Sequence, residues 1–196
     1  MKRSYHRSRE TQQKLLDAVI QLTKEKRYES ITVQDVCRVA GVSTGSFYHQ
    51  FGSKDDMVLV ASQKIDWLLT QPFLDSVQDL PPLTALDHLL RRYVCYVQDE
   101  IGPVLSQYYH VLLDHPDAAR RDMDWAYGQK ILALISQAIE QGDLPQDLEA
   151  SYLANLIMRQ IRGLFLDWLV KGGAYSLLDA YEKDFQMFLR LARATP

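Results

Sequence analysis

Leu15, Ala18, Val19 and Leu22 recur at i, i+3, i+4 and i+7. That spacing predicts an amphipathic helix from about Ser8 to Lys26. A second helix begins at Thr32, a good N-cap with Asp35 at its third position, and carries an apolar stripe of Val36, Val39 and Ala40. Gly41 stops it, because glycine takes the left-handed conformation common at helix exits. Ser43 caps a third helix two residues later. Two helices of about two turns, joined by so tight a turn, read as a helix-turn-helix over about residues 32–51.

The third helix is a poor core element. Phe47 and Phe51 are four apart and share the face that pins it inward, which pushes Thr44, Ser46, Tyr48 and His49 outward. Thr44, Gly45 and Ser46 form a first turn of small side chains, where a backbone can approach a base edge and hydroxyls can donate or accept. Tyr48 and His49 reach sideways, as phosphate contacts do. Ser53 caps a fourth helix, with Lys54 at its first position and Asp56 at its third. Lys54 at the positive helix end is a cation that a neighbouring phosphate would compensate. Met57, Ala61, Ile65 and Leu68 predict that this helix runs to about Thr70, before Pro72.

Helical spacing continues to the C-terminus. "DLPPLT" reads as a break, and Thr84 as the cap of a helix with Leu86, Leu89, Leu90, Tyr93 and Val97 on one face. Gly102-Pro103 is expected to separate it from a helix through Leu113, ended by His115-Pro116. A longer helix carries Tyr127, Ile131, Leu134 and Ala138, and Gly142 closes it. In the last two helices, Leu153, Ile157, Leu164 and Trp168, then Phe185 and Phe188, belong to apolar surfaces too broad for one buried face. Paired with their copies they would form a four-helix dimer interface; alternatively, both faces are covered within one subunit. The expectation is therefore an all-α chain of about nine helices. A DNA-binding domain over residues 8–68 would be followed by a C-terminal ligand-binding and dimerisation domain over 72–196.

Charge sharpens this division. The net charge of −3 splits into ten Lys/Arg against six Asp/Glu in residues 1–55 (+4) and twelve against nineteen in the rest (−7). A basic first quarter suits phosphate contact. Arg3, Arg7 and Arg9 add cations at the start of the first helix. Tyr93, Tyr96, Tyr108, Tyr109 and Tyr127 cluster in the middle helices. They suit the walls of a pocket for a small apolar or aromatic ligand, or else plain core with hydroxyls at the surface. Cys37 and Cys95 form neither a metal spacing nor a disulfide framework, and a reducing cytoplasm is the simplest setting for them. No apolar run reaches the roughly 18 residues of a membrane span. The sequence holds no HExxH, phosphate-binding glycine loop or Gly-x-Ser-x-Gly elbow, which speaks against an enzyme, and no cofactor or metal is expected.

With these residues in view, positions 8 to about 68 resemble the DNA-binding domain of the tetracycline-repressor family of bacterial transcription regulators. The motif is "TVQDVCRVAGVSTGSFYHQFGSKDDM", preceded by "YESI". Thr32, Ala40, Gly41, Val42, Ser43, Gly45, Phe47, Tyr48, Phe51, Ser53 and Lys54 stand where the family pattern has such residues. The resemblance implies that Thr44, Gly45 and Ser46 face bases, and that Thr32, Tyr48, His49 and Lys54 meet the backbone, with Ser43 at the head of the reading helix. It also implies a homodimer on double-stranded operator DNA, most simply a repressor released by a small effector. A DNA-binding protein of the same fold that works through a protein partner, as a co-activator, is the alternative.

Overall fold

Caps and glycines set the helix limits in the computed structural model, which describes residues 2–63, 68–114 and 125–193. The side chains of residues 2–9, Arg3, Arg7 and Arg9 included, lie outside the description, as do His115, Pro116 and residues 64–67, over which the fourth helix was expected to continue. Ten α-helices, and no strand, occur among the described residues: α1 (Lys2–Thr23), α2 (Val33–Ala40), α3 (Thr44–Gln50), α4 (Lys54–Gln63), α5 (Gln71–Val77), α6 (Pro82–Tyr96), α7 (Gly102–Asp114), α8 (Ala126–Glu140), α9 (Ala150–Val170) and α10 (Leu177–Arg193).

The chain forms two compact units, residues 1–64 with 100–118, and residues 65–99 with 119–196. In the first unit, Leu15, Leu16 and Val19 of α1 close over Val36 of α2, Phe47 of α3 and Phe51. Val104 and Val111 of α7 join that core. α7 was expected with the C-terminal helices, but it packs on α1 and α4. Its apolar positions supply the remaining wall of the N-terminal core.

In the second unit α6, α8, α9 and α10 pack in the order α6–α8, α8–α9, α9–α10 and α10–α6. Tyr127 is fully buried and its hydroxyl donates to the Leu89 carbonyl at 2.8 Å. Arg91 of α6 pairs with Glu182 of α10, and Tyr181 donates to Asp87 Oδ1 at 2.8 Å, so polar bridges also tie α6 to α10.

Three boundaries depart from the sequence expectation. α5 runs through Pro72, which sits in its first turn, where its missing N–H costs no hydrogen bond. α6 starts at Pro82, and Thr84 is already helical, its N–H bonded to the Pro81 carbonyl. Gly102-Pro103 does not separate two helices: a π turn over Val97–Ile101 runs from α6 into α7. A wider turn of this kind takes up a helix irregularity without ending the helix. It also presents Gln98, whose Oε1 accepts the Leu177 N–H at 2.8 Å at the start of α10.

Candidate nucleic-acid interface

Local bonds fix α2 before any tertiary contact forms. Thr32 Oγ1 accepts the Asp35 N–H at 3.1 Å, and Asp35 Oδ2 accepts the Thr32 N–H at 3.1 Å, a reciprocal capping box. Lys26 donates to Asp35 Oδ2 at 2.7 Å and Arg38 to Oδ1 at 3.0 Å. The Lys26 ammonium, the Thr32 N–H, the Arg38 guanidinium and the Thr32 hydroxyl together hold the Asp35 carboxyl well below the usual carboxylate range. At the other end Gly41 has φ +66°, the left-handed region, and two bonds close the helix there: Gly41 N–H to Arg38 O and Val42 N–H to Cys37 O. This is the Schellman pattern, and it aims the chain directly into the next helix.

Ser43 Oγ accepts the Ser46 N–H at 3.1 Å and lies 2.9 Å from Ser46 Oγ. Ser43 is therefore first a cap, and its hydroxyl is shared with Ser46. Phe47 is fully buried, packing edge-on to Tyr48 and tilted against Phe51. That anchor leaves Thr44, Gly45, Tyr48 and His49 exposed, Tyr48 by 59%, with Ser46 half-buried. A Cβ built on Gly45 would meet only Ser43 Oγ, at an ordinary 3.7 Å. Nothing inside the subunit requires glycine there.

Lys54 also makes bonds within the first unit. Its ammonium turns inward, donating to Ile31 O at 2.7 Å and Tyr28 O at 3.1 Å, and it lies 4.4 Å from the centre of the Tyr28 ring. Tyr28 returns a bond to Lys54 O at 3.0 Å, and burial, with the charge of Asp55, pushes its phenol above the ordinary range. This clamp joins the "YESI" turn to the head of α4. An ammonium has three donors, so one remains for a ligand. Sequence reading had named both segments but not their pairing, since 26 positions separate the two residues. It also missed Lys26 as the partner of Asp35.

The arrangement is a pair of short, capped helices that leaves the first turn of α3 exposed. Residues 15–61 match the family described as "Bacterial regulatory proteins, tetR family". These matched residues form a DNA-binding domain of this TetR family. The chain is a DNA-binding transcriptional regulator. It is 26% identical over 171 residues to the HTH-type transcriptional repressor KstR2 of Mycobacterium tuberculosis, covering 81% of each chain. Among solved structures, the Thermus thermophilus repressor FadR in complex with lauroyl-CoA matches with a TM-score of 0.68 at 21% identity, over 94% of this chain and 96% of that one. Bacillus subtilis FadR in complex with stearoyl-CoA matches at 0.67 and 13% identity, over 93% and 97%. At these identities the structures speak for the fold.

The other candidate residues of the chain divide as follows. Tyr93 packs edge-on against Tyr127 and Phe165 in the second unit, with Tyr96 half-buried on the same helix. Tyr108 and Tyr109 sit on α7, and Tyr108 packs on the core of the first unit. Tyr93, Tyr96 and Tyr127 thus belong to the second unit, and Tyr108 and Tyr109 to the first. A small cleft of about 20 Å³ lies among Leu90, Ile157, Gln160, Ile161, Leu164, Tyr181, Asp184 and Phe185 of the second unit. Of the residues expected at a dimer interface, Leu153, Ile157, Phe185 and Phe188 are buried in the second unit's own core. Leu164 and Trp168 are half-buried, and Trp168 Nε1 donates to Tyr175 O at 2.9 Å. The large apolar side chains left exposed on α9 and α10 are others: Tyr152, Leu166, Val170, Met187 and Leu191. Periodicity revealed the apolar stripe but not which side of it the subunit covers. No helix among the described residues is long and apolar enough to cross a membrane, and no group of His, Cys, Asp or Glu there could hold a metal ion.

Proposed function

We propose that this regulator is a homodimeric repressor that reads two half-sites of an operator and leaves them when a small, mostly apolar effector binds the second unit. The observation that carries the DNA half is the exposed first turn of α3, Thr44-Gly45, held between a capped helix start and a buried Phe47. Thr44 and Ser46 face base edges in this reading, while Thr32, Tyr48, His49 and the remaining donor of Lys54 meet phosphates. Half-site centres then lie about one helical turn apart, roughly 34–36 Å, or a multiple of it.

The dimer is supported by the exposed apolar residues of α9 and α10, which a monomer would leave in water. The effector is supported by the apolar walls of the cleft among α6, α9 and α10, with Gln160, Tyr181 and Asp184 as its polar edge. Two fold neighbours carry acyl-CoA molecules. The cleft has to widen for such a ligand, so effector binding selects a different packing of α6 against α9 and α10, and this differential affinity drives release. The chain passes from the second unit to the first within the π turn that joins α6 to α7, which gives that change a covalent route. Close packing of Tyr93, Tyr127 and Phe165 favours a second reading, regulation by a protein partner.

Fluorescence anisotropy on an operator duplex, titrated with long-chain acyl-CoA and with aromatic and steroid acids, separates the two readings. An effector should weaken DNA binding roughly 5- to 150-fold, and DNA should weaken effector binding by the same factor. If no compound in the panel binds or changes DNA affinity, the protein-partner reading replaces it.

A further inference from the structure

Gly163 lies in the middle of the 21-residue helix α9, exposed, and a Cβ built on it would meet nothing within 4 Å. Its φ is not positive, so neither the backbone nor the packing of the subunit requires glycine there. Glycine inside a helix is less stable than alanine, and a close approach by another backbone is what commonly offsets that.

The surroundings specify what approaches. With 100° between successive residues, Tyr152, Arg159, Gly163, Leu166, Asp167 and Val170 share one arc centred on Gly163, and all six are exposed. Leu166 is 48% and Val170 78% exposed, so the arc is apolar beside the glycine. Its charges are mirror-placed: Arg159 stands four residues before Gly163 and Asp167 four after. Eight residues, about 12 Å along the helix, keep the two apart within one chain. Arg159 lies over the Tyr152 ring at 5.7 Å, and it belongs to none of the ion pairs among the described residues.

A two-fold axis reverses this row against itself. We infer that the two-fold axis of the homodimer passes beside Gly163, where the two α9 helices cross closely, and that Arg159 of each subunit pairs with Asp167 of the partner subunit. Arg159, Gly163 and Asp167 form an i±4 row, and two such rows lie alongside each other when helices cross at about 50°. The glycine removes the side chains that would otherwise hold the axes apart at the crossing. The Asp167 carboxylate already accepts from Lys171 and Tyr175, both at 2.9 Å, which orients it and leaves acceptor capacity for a guanidinium. The inference rests on the dimer reading above and adds to it the position of the axis and the residues that fix its register.

Sedimentation of the whole chain tests both levels. If the native protein sediments as a monomer at micromolar concentration, the dimer reading falls and this inference with it. If it is a dimer, Gly163→Leu should raise the dimer dissociation constant on the order of 100-fold while the subunit melts as before, because the monomer has room for the side chain. Arg159→Glu and Asp167→Arg should each weaken their own homodimer. Mixed together, the two variants should form the heterodimer about ten-fold above the statistical share, since only that pairing matches both charges. Mixing is a difference between pairings, so the Lys171 and Tyr175 bonds lost in Asp167→Arg do not enter it. A Gly163→Leu dimer as tight as the native one, or variants that mix statistically, would place the axis elsewhere while leaving the dimer itself standing.

Discussion

Residues 32–57 and the helices of the second unit are built from different kinds of information. In the first region almost every boundary is set by a neighbour within a few positions: Thr32 with Asp35, Gly41 with Arg38 and Cys37, Ser43 with Ser46, Ser53 with Asp56. In the second unit the decisive contacts cross long stretches of chain, such as Tyr127 to Leu89, Gln98 to Leu177, Tyr181 to Asp87 and Arg91 to Glu182. The helix limits of the first region are locally encoded, whereas the helices of the second unit are held by side-chain bonds between distant positions. In the function proposed above, a surface that must match DNA gains from the first arrangement, and one that must switch gains from the second.

The contrast can be broken most forcefully at Phe47. Phe47→Ala empties the centre of the N-terminal core and should cost about 3–5 kcal/mol. Calorimetry should show an early transition of the first unit, with DNA binding lost and the second unit still melting near its native temperature. A single, unshifted transition would mean that the two units do not differ as described. Lys54→Ala comes next. It removes two charge-assisted bonds and the contact with Tyr28, and about 1–2 kcal/mol of stability should go together with affinity for every DNA sequence. Loss of affinity at unchanged stability would assign Lys54 to phosphate alone.

Much of this was legible in the sequence for the reason the comparison gives. Thr32, Gly41, Ser43 and Ser53 announce caps and turns without knowledge of the rest of the fold. The Lys54–Tyr28 clamp was not legible, because nothing local connects residues 26 apart. Pro72 and Gly102-Pro103 were read as breaks. Proline in a first turn and glycine-proline after a π turn are both compatible with helix, and only the surrounding packing decides. The tyrosines of α6, α7 and α8 repeat at helical spacing whether they meet a ligand, each other or the N-terminal core. Leu153, Ile157, Phe185 and Phe188 likewise belong to an apolar stripe on either side of an interface, and only the fold turned them inward.

Smaller effects sharpen the picture. Tyr127→Phe should cost about 1 kcal/mol in chemical denaturation, the worth of a buried bond such as the one to Leu89 O, with no change in DNA preference. Asp35 provides a pH test. Its carboxyl is held low in the folded state, so its contribution is fully present above the ordinary carboxylate range and is lost as pH falls through the folded value. Acid denaturation of Asp35→Asn should therefore lack part of the native protein's pH slope below about pH 4. Equal slopes would show that the Lys26, Thr32 and Arg38 bonds do not persist in solution. The smallest change in stability is expected at Gly45, where alanine fits the subunit and should stabilise α3 by roughly 0.5–1 kcal/mol. DNA affinity should fall all the same, because the added methyl group would stand where a groove wall comes close. A stabilised variant with unchanged affinity would remove Gly45 from the interface.

The reading surface itself is tested most directly by selecting duplexes from a random pool with the native chain and titrating Thr44→Ala against the selected site and its single-base variants. The native protein should bind the selected site roughly 10³-fold or more tighter than unselected DNA. Thr44→Ala should flatten the preference by about 1–3 kcal/mol at one base pair in each half-site and leave the others unchanged. Binding of selected and unselected duplexes with equal affinity, or a Thr44→Ala loss spread evenly over every position, would contradict the assignment of α3 as the element that reads the sequence.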